Sequence, residues 1–234
     1  MSTSPSAEKI AEVVTANKED VDVDTVHAQA VSFFPRHWIK NWPEHADLDS
    51  AAILGGDELD EDGRRTVARS DLFALGSEVA TPADALNFFV AVYSWGVGTY
   101  SRGVSRGLRV LADKDAGKKI LGALEYLRET DFDPGAAYSA FNNYEHFKVK
   151  HLGPSFFTKL LYFYSHARLT RSTRVPLILD KYVAAALGWR PWGWTTRQYV
   201  SYISLVDEAR SLVDSDLPGD VVEYVLFRHR QRIA

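Results

Sequence analysis

The chain has 234 residues, an apolar fraction of 46% and a formal net charge of −4, ordinary values for a globular protein with one good-sized core. It contains no cysteine, which excludes disulfides, thiolate metal sites and iron–sulfur clusters. No stretch approaches the roughly 18 apolar residues of a membrane span, and residues 1–14 lack the basic and then apolar run of a secretion signal, so we expect a cytoplasmic protein without a membrane partner.

The first eighty residues predict little regular structure. Residues 1–20 are small and polar and are expected to be loose. An amphipathic pattern then runs from Asp24 to the aromatic cluster at 33–38, and residues 44–65 indicate an acidic surface loop. We therefore predict an N-terminal helical and acidic segment (1–80) and a helical domain (81–234) that pack together as one unit.

A strong helix start follows at residue 81. Thr81 supplies a capping hydroxyl, Pro82 occupies the first helical position and Asp84 places a carboxylate at the third. The residues that follow are apolar nearly all round, which predicts a core helix that Gly96 and Gly98 break.

The remaining pattern is also helical. Helices are predicted over 102–113 and 118–130, after Thr195 or Thr196, and from Pro218 onwards, and the helix after Thr195 carries an apolar stripe from Tyr199 to Val213. Only residues 175–179 (VPLIL) resemble a strand, and they are short enough to be an extended linker. The fold class that we predict is an all-α, two-lobed helical bundle.

The stretch 147–163 (FKVKHLGPSFFTKLLYF) indicates a hairpin between two helices. Gly153 can take the positive φ that ends a helix tightly, and Pro154 fits the first position of the next helix. The amides of Ser155 and Phe156 then have no partner within the helix, and such an N-terminus binds phosphate well. The surrounding residues 141–175 hold six Lys and Arg against Glu145 alone. A basic run is often only a solvated face, but its coincidence with the hairpin favours a phosphate-facing surface.

Together with Asp180, which follows VPLIL and opens the next helix, the hairpin resembles the helix-hairpin-helix DNA glycosylase superfamily, and most closely its 8-oxoguanine glycosylase branch. The likeness covers about half of the chain, from residue 81 to residue 187. It departs from the family pattern at His151, where the first hairpin glycine is expected, and at Ser155, where the lysine of bifunctional members falls. Lys159 lies one helical turn later, on the same face.

The resemblance implies an enzyme that flips a base out of DNA and breaks its N-glycosidic bond. Asp180 is the candidate for stabilising the positive charge that develops on the sugar, and its alternative role is an ordinary helix N-cap. Lys159 is the candidate amine that attacks the sugar and gives lyase activity. Its alternative role is a solvated or phosphate-pairing lysine, in which case Asp180 activates water instead.

Further residues are assigned to DNA contacts. Trp95 and Tyr100 are candidates for the base pocket, although such aromatic residues are more often part of a core. The predicted phosphate contacts are Lys148, Lys150, Gly153, Pro154, Ser155, Phe156, Arg171 and Arg174.

No metal site is predicted, because His146, His151 and His166 lack the spacing of a ligand set. The resemblance implies no cofactor beyond a monovalent cation held by backbone carbonyls of the hairpin. We expect DNA as the partner and no obligate protein partner. The substrate is an oxidised purine or a hypermodified base of phage DNA, and the alternatives are a non-catalytic DNA-binding module or an α-helical adaptor.

Overall fold

A computed structural model describes residues 5–17, 21–46, 51–56, 59–142, 147–169 and 175–233. The helices are α1 (Ala7–Asn17), α2 (Val23–His27), α3 (Pro35–Ile39), α4 (Arg69–Glu78), α5 (Pro82–Val97), α6 (Ser101–Leu111), α7 (Ala116–Glu129), α8 (Pro134–Asn142), α9 (Pro154–His166), α10 (Lys181–Ala186), α11 (Thr196–Val213) and α12 (Gly219–Ile233). The strands are β1 (Ala30–Phe33) and β2 (Arg65–Ala68). The predicted all-α class is confirmed. Within the described ranges, no helix is long and apolar enough to cross a membrane.

The centre of the molecule is formed by α5 and α9, which pack against each other. Every side chain of α9 from Phe157 to Ser165 is buried, so this helix runs through the core. The same is true of most of α5, as its nearly continuous apolar sequence predicts. A polar residue on α9 is therefore carried into the interior, and Lys159 lies there.

The start of α5 is the predicted capping box. The Thr81 hydroxyl accepts a hydrogen bond from the Asp84 amide at 3.2 Å, and the Asp84 carboxylate accepts one from the Thr81 amide at 2.8 Å. The helix continues through Gly96 to Val97, so the prediction that Gly96 breaks it is wrong. Gly98, with a φ of 58°, follows the helix in a conformation that favours glycine.

The N-terminal residues are more ordered than the sequence predicts. Residues 7–17 form α1, which buries Ala7, Ile10, Ala11 and Val14 against α11 and α12. The expectation of a loose segment is therefore wrong for this range.

A two-stranded antiparallel sheet lies beside α5, and the sequence analysis did not predict it. It pairs β1 with β2, with Val31 opposite Val67. Each strand is only four residues long, too short to show a clear alternation of apolar and polar residues. The one segment that did resemble a strand, 175–179, is extended but belongs to no sheet.

Candidate active site

The extended segment before Asp180 is held in the core by side-chain hydroxyl groups. Tyr199 donates to the carbonyl of Leu177 at 2.8 Å, and its oxygen accepts from the Leu177 amide at 3.1 Å. Tyr202 donates to the carbonyl of Ile178 at 3.0 Å, and Thr158 accepts from the amide of Leu179 at 3.1 Å. These contacts replace the hydrogen bonds of a sheet, because buried backbone groups need partners. They fix the place where α10 begins, next to α9.

Asp180 uses its two carboxylate oxygens differently. Oδ1 accepts hydrogen bonds from the amides of Tyr182 and Val183, at 2.9 and 3.1 Å, and so caps α10. Oδ2 points towards Lys159, whose Nζ lies 3.6 Å away. The two roles that the sequence left open, helix cap and site carboxylate, are therefore compatible, since the cap fixes the orientation of the oxygen that faces the lysine.

Lys159 is almost completely buried, with 6% of its side chain exposed. Its Nζ donates a hydrogen bond to the carbonyl of Ser155 at 2.9 Å. Burial lowers the pKa of Lys159 below its ordinary value, and the nearby charge of Arg69 acts in the same direction, while Asp180 and Glu223 oppose them. A lysine in such a place is more readily available as a neutral amine than one on the surface.

Arg69 and Glu223 form a second buried ionic pair, which the sequence analysis missed. The guanidinium lies 3.0 Å from the Glu223 carboxylate, and each side chain is 1% exposed. Arg69 also donates to Tyr162 at 3.1 Å and to the side chain of Gln29 at 2.8 Å. Burial raises the pKa of Glu223 to about 7, against the opposing effect of Arg69. The two residues are 154 positions apart, and nothing in their local sequences marks them as a pair.

Both buried pairs lie on the wall of one cavity of about 750 Å³. This cavity is within the size range of pockets that hold small organic ligands. Trp95 also lines it and donates its indole N–H to the carbonyl of Gln29 at 3.2 Å. Tyr100 is 54% exposed and is not among the lining residues, so the structure does not bring it to the site.

Gly96 lies on the cavity wall beside Lys159. A Cβ atom at this position would lie 2.8 Å from a ring carbon of Phe156 and 3.4 Å from Cδ of Lys159. Because contacts below 3.0 Å require a shift of the neighbouring atoms, the absence of a side chain at Gly96 is what lets Phe156 and Lys159 occupy their positions.

Residues 147–153, where a hairpin is predicted, precede α9, and their turn differs from the prediction. His151, not Gly153, takes the positive φ, of 69°, while Gly153 is extended with a φ of −91°. His151 occupies the position where the resemblance expects a glycine, so the backbone conformation is the one that glycine favours. Pro154 begins α9 as predicted.

Fewer backbone amides and carbonyls at the start of α9 lack a hydrogen-bond partner than the sequence predicts. The Phe156 amide donates to the carbonyl of Gly153 at 2.9 Å, so it is not free. The Gly153 carbonyl also accepts from Phe157, and the carbonyl of Val149 accepts from Leu152. These two carbonyls are therefore already engaged, and a monovalent cation in the hairpin stays a prediction from the resemblance alone.

The comparisons with known proteins give one match. Residues 24–227 match the family model described as "Putative 8-oxoguanine DNA glycosylase OGG-like protein". The chain belongs to this family. No curated protein and no solved structure matches it. The match to the OGG-like family extends through the N-terminal part of the chain, where the sequence analysis found no likeness, and it includes all four residues of the two buried pairs.

The surface around the cavity of this OGG-like protein carries basic groups. A second cavity of about 350 Å³ adjoins the first and is lined by the hairpin residues 153–156, Arg106 and Arg109. Lys181 and Arg228 line the first cavity. We call Arg106, Arg109, Lys181 and Arg228 the basic rim.

The structure describes only some of the residues that are predicted to contact phosphate. Lys148 and Lys150 are exposed on either side of buried Val149, in the hairpin. Gly153, Pro154, Ser155 and Phe156 are partly buried and line the second cavity. Arg171 and Arg174 lie outside the described residues, as does His146. The arginines of the rim were missed because α6 was treated only as a helix, although Arg102, Arg106 and Arg109 are spaced so that they share one face.

Proposed function

We propose that this OGG-like protein is a helix-hairpin-helix DNA glycosylase that flips a modified base into the 750 Å³ cavity and breaks its N-glycosidic bond. The observation that carries the proposal is the pair of Lys159 Nζ and Asp180 Oδ2, 3.6 Å apart and almost buried on the wall of that cavity. A lysine of lowered pKa next to a fixed carboxylate is a combination suited to nucleophilic chemistry.

The reaction begins with a neutral Lys159 amine attacking C1′ of the flipped nucleotide. The C1′–N bond breaks, its electrons leave with the base, and the base takes up a proton. The Asp180 carboxylate, 3.6 Å from the lysine, stabilises the positive charge on the sugar, accepts the proton that the attacking amine loses and passes it to the departing base. The C1′–O4′ bond then breaks and O4′ takes the remaining proton of the nitrogen, which gives a Schiff base. Loss of a C2′ proton to the Asp180 carboxylate breaks the C3′–O bond, whose electrons leave with the 3′ phosphate, and the strand is cut.

A monofunctional reaction uses the same carboxylate with water. In that case Asp180 accepts a proton from a water molecule that attacks C1′, and Lys159 remains a charged neighbour of the carboxylate. The strand is then left uncut. The two mechanisms differ in whether a covalent intermediate forms on Lys159.

Recognition of the base falls to the second buried pair. Arg69 offers hydrogen-bond donors and Glu223 an acceptor on the cavity wall, and Trp95 offers an apolar ring near them. Flipped bases are commonly read by hydrogen bonds to their edges together with contact to aromatic rings. The resemblance suggests an oxidised purine, and a cavity of this volume also has room for a hypermodified base of phage DNA.

The experiment that tests the proposal is base release measured by mass spectrometry. Genomic, oxidised and hypermodified phage DNA are incubated with the wild type, Asp180→Asn and Lys159→Gln. We expect free base from the wild type and a rate at least about 100-fold lower for Asp180→Asn, with DNA binding retained. If no DNA releases a base while binding is intact, the chain is a binding module and the proposal is wrong.

Borohydride trapping decides the role of the lysine. Lys181 lies on the same cavity wall and is exposed, so Lys181→Gln is the matched control for Lys159→Gln, with all proteins assayed at saturating DNA because Lys181 belongs to the basic rim. We expect a trapped protein–DNA adduct from the wild type and from Lys181→Gln but none from Lys159→Gln. Base release without any trapped adduct from the wild type contradicts the bifunctional mechanism and favours the water reaction.

A further inference from the structure

Two histidines and a carboxylate from three separate helices meet two turns along α9 from Lys159. His27 ends α2, His166 ends α9 and Asp220 lies in the first turn of α12. His27 Nε2 is 3.4 Å from Asp220 Oδ2, and His166 Nδ1 is 3.9 Å from the same oxygen. All three candidate ligand atoms lie within 4.8 Å of one another.

These distances are close to those of a metal site. In a tetrahedral zinc centre with bonds of about 2.0–2.2 Å, neighbouring ligand atoms lie roughly 3.4 Å apart. Asp220 Oδ2 and His27 Nε2 already have this separation. His166 Nδ1 needs to approach Asp220 Oδ2 by about half an ångström, and the two histidine nitrogens, which lie within 4.8 Å of each other, need to approach as well. Both histidine side chains are more than a quarter exposed.

Neighbouring side chains contact two of the three candidate ligands, Asp220 and His166. Tyr162 donates a hydrogen bond to Asp220 Oδ2 at 3.1 Å, and the ring of Phe73 stacks on His166 with 4.1 Å between ring centroids. Groups of this kind hold metal ligands in place in many proteins. The three residues also border a cavity of about 90 Å³, large enough for a water molecule as a fourth ligand.

We propose that His27, His166 and Asp220 bind a divalent transition metal, for which their two imidazoles and one carboxylate favour Zn²⁺. The metal would join α2 to α9 and α12, the helices that carry Lys159 and Glu223. Its role would be to fix these two helices relative to each other. The sequence analysis compared His166 with His146 and His151, whereas the structure groups it with residues 139 positions before and 54 positions after it.

Binding is tested on untagged full-length protein freed of metal with EDTA. Titration with ZnCl₂ is followed by calorimetry, and titration with CoCl₂ by the visible bands of tetrahedral Co²⁺. We expect one saturable site. At a free metal concentration of about 100 times Kd, the melting temperature should rise by roughly 5 °C or more. Asp220→Asn and His27→Gln should each weaken binding at least about 10-fold.

His229→Gln is the matched control. His229 lies on the same helix as Asp220 but nine residues away, about 13 Å along the axis, so its loss should leave the site unchanged. Asp220 is buried and accepts a hydrogen bond from Tyr162, so its variant loses stability even without a metal. His27→Gln, at a position that is 28% exposed, therefore keeps the test informative. Failure of the wild type to bind Zn²⁺ or Co²⁺, or equal binding by wild type and His27→Gln, overturns the proposal. No outcome depends on glycosylase activity.

Discussion

At the scale of single residues, the Arg69–Glu223 pair places two charges at positions that are 1% exposed, on the wall of the cavity. Burial of such a pair costs desolvation energy, and removal of one partner leaves the other uncompensated. The pKa of Glu223 is nevertheless raised to about 7, because the effect of burial exceeds that of Arg69. A carboxyl group that titrates near neutral pH links the stability of the protein, and the charge in the cavity, to pH.

The sign of this dependence follows from proton uptake. Between its ordinary pKa of 4.5 and its folded value of about 7, Glu223 binds more protons in the folded than in the unfolded state. The stability that it contributes is therefore complete below pH 4.5 and is lost as the pH rises through about 7, by up to about 3 kcal/mol. We expect the free energy of unfolding to fall less steeply between pH 5 and pH 7 in Glu223→Gln than in the wild type.

Urea unfolding at a series of pH values measures this slope. The contributions of groups that titrate in both proteins cancel in the difference between the two slopes. A constant loss of stability in Glu223→Gln leaves its slope unchanged and does not affect the comparison. Parallel curves for the two proteins across this range would show that Glu223 has an ordinary pKa.

Gly96 leads to a prediction about the geometry of Lys159. In Gly96→Ala the new Cβ meets the Phe156 ring at 2.8 Å, so Phe156 and with it Lys159 must move. We expect at least a 10-fold loss of base release and a stability loss of about 1–3 kcal/mol. Gly55→Ala is the control, because Gly55 lines neither cavity, its φ of −91° is ordinary, and the added Cβ would lie 3.7 Å from the Ala52 carbonyl oxygen, an ordinary contact. Equal activity of the Gly96→Ala protein and the wild type would contradict a tight fit around Lys159.

At the scale of elements, the turn before α9 stores strain at His151. A non-glycine residue with a φ of 69° costs about 1 kcal/mol or more relative to glycine. Glycine gains more entropy in the unfolded chain, which offsets part of the benefit. We expect His151→Gly to raise the free energy of unfolding by about 0.5 kcal/mol.

A β-branched residue at position 151 tests whether the positive φ is the cause of the strain. His151→Val places a stiff side chain in the left-handed region and should destabilise the protein relative to His151→Gly by more than 1 kcal/mol, measured by urea unfolding. A Val variant as stable as the Gly variant would mean that the turn relaxes to another conformation.

The helices that the sequence predicts well are those with a chemical signal at their first residue. Thr81 with Asp84, and Thr195 with Gln198, form capping boxes, and α9 and α12 begin at or next to the proline predicted for each. Such contacts join residues three positions apart, so they are visible in the sequence. Helix α1 follows Ser6, whose hydroxyl accepts a hydrogen bond from the Lys9 amide at 3.5 Å, but position nine carries no side chain that returns the bond as in a capping box. Its burial depends on α11 and α12, almost 200 residues later.

The residues of the candidate site also divide into those that the sequence predicts and those that only the structure shows. Lys159 and Asp180 were predicted because each lies at a recognisable place, one in the helix after the hairpin and one at a helix start. Arg69 and Glu223 depend on contacts over 154 residues. A single arginine or glutamate on a helix usually faces solvent, so only the folded chain shows that these two face each other.

At the scale of the whole molecule, the distribution of charge over the surface matters more for DNA binding than the net charge does. The chain has a net charge of −4, and residues 1–75 hold 15 acidic against seven basic residues. Four basic side chains nevertheless form the rim around the two cavities. DNA affinity depends on the groups that meet phosphates and displace counterions, so an acidic protein with a basic site can bind DNA.

Removal of two rim charges should therefore change the salt dependence of DNA binding. In Arg106→Gln/Arg109→Gln we expect weaker binding of all sequences and a slope of log K against log salt that is shallower by about 2. Lys9→Gln/Lys118→Gln removes the same net charge from exposed positions on α1 and α7, away from the cavities, and should leave the slope unchanged. Fluorescence anisotropy over a range of salt concentrations measures both. If the two double variants lose affinity equally, net charge governs binding and the basic rim does not contact the DNA.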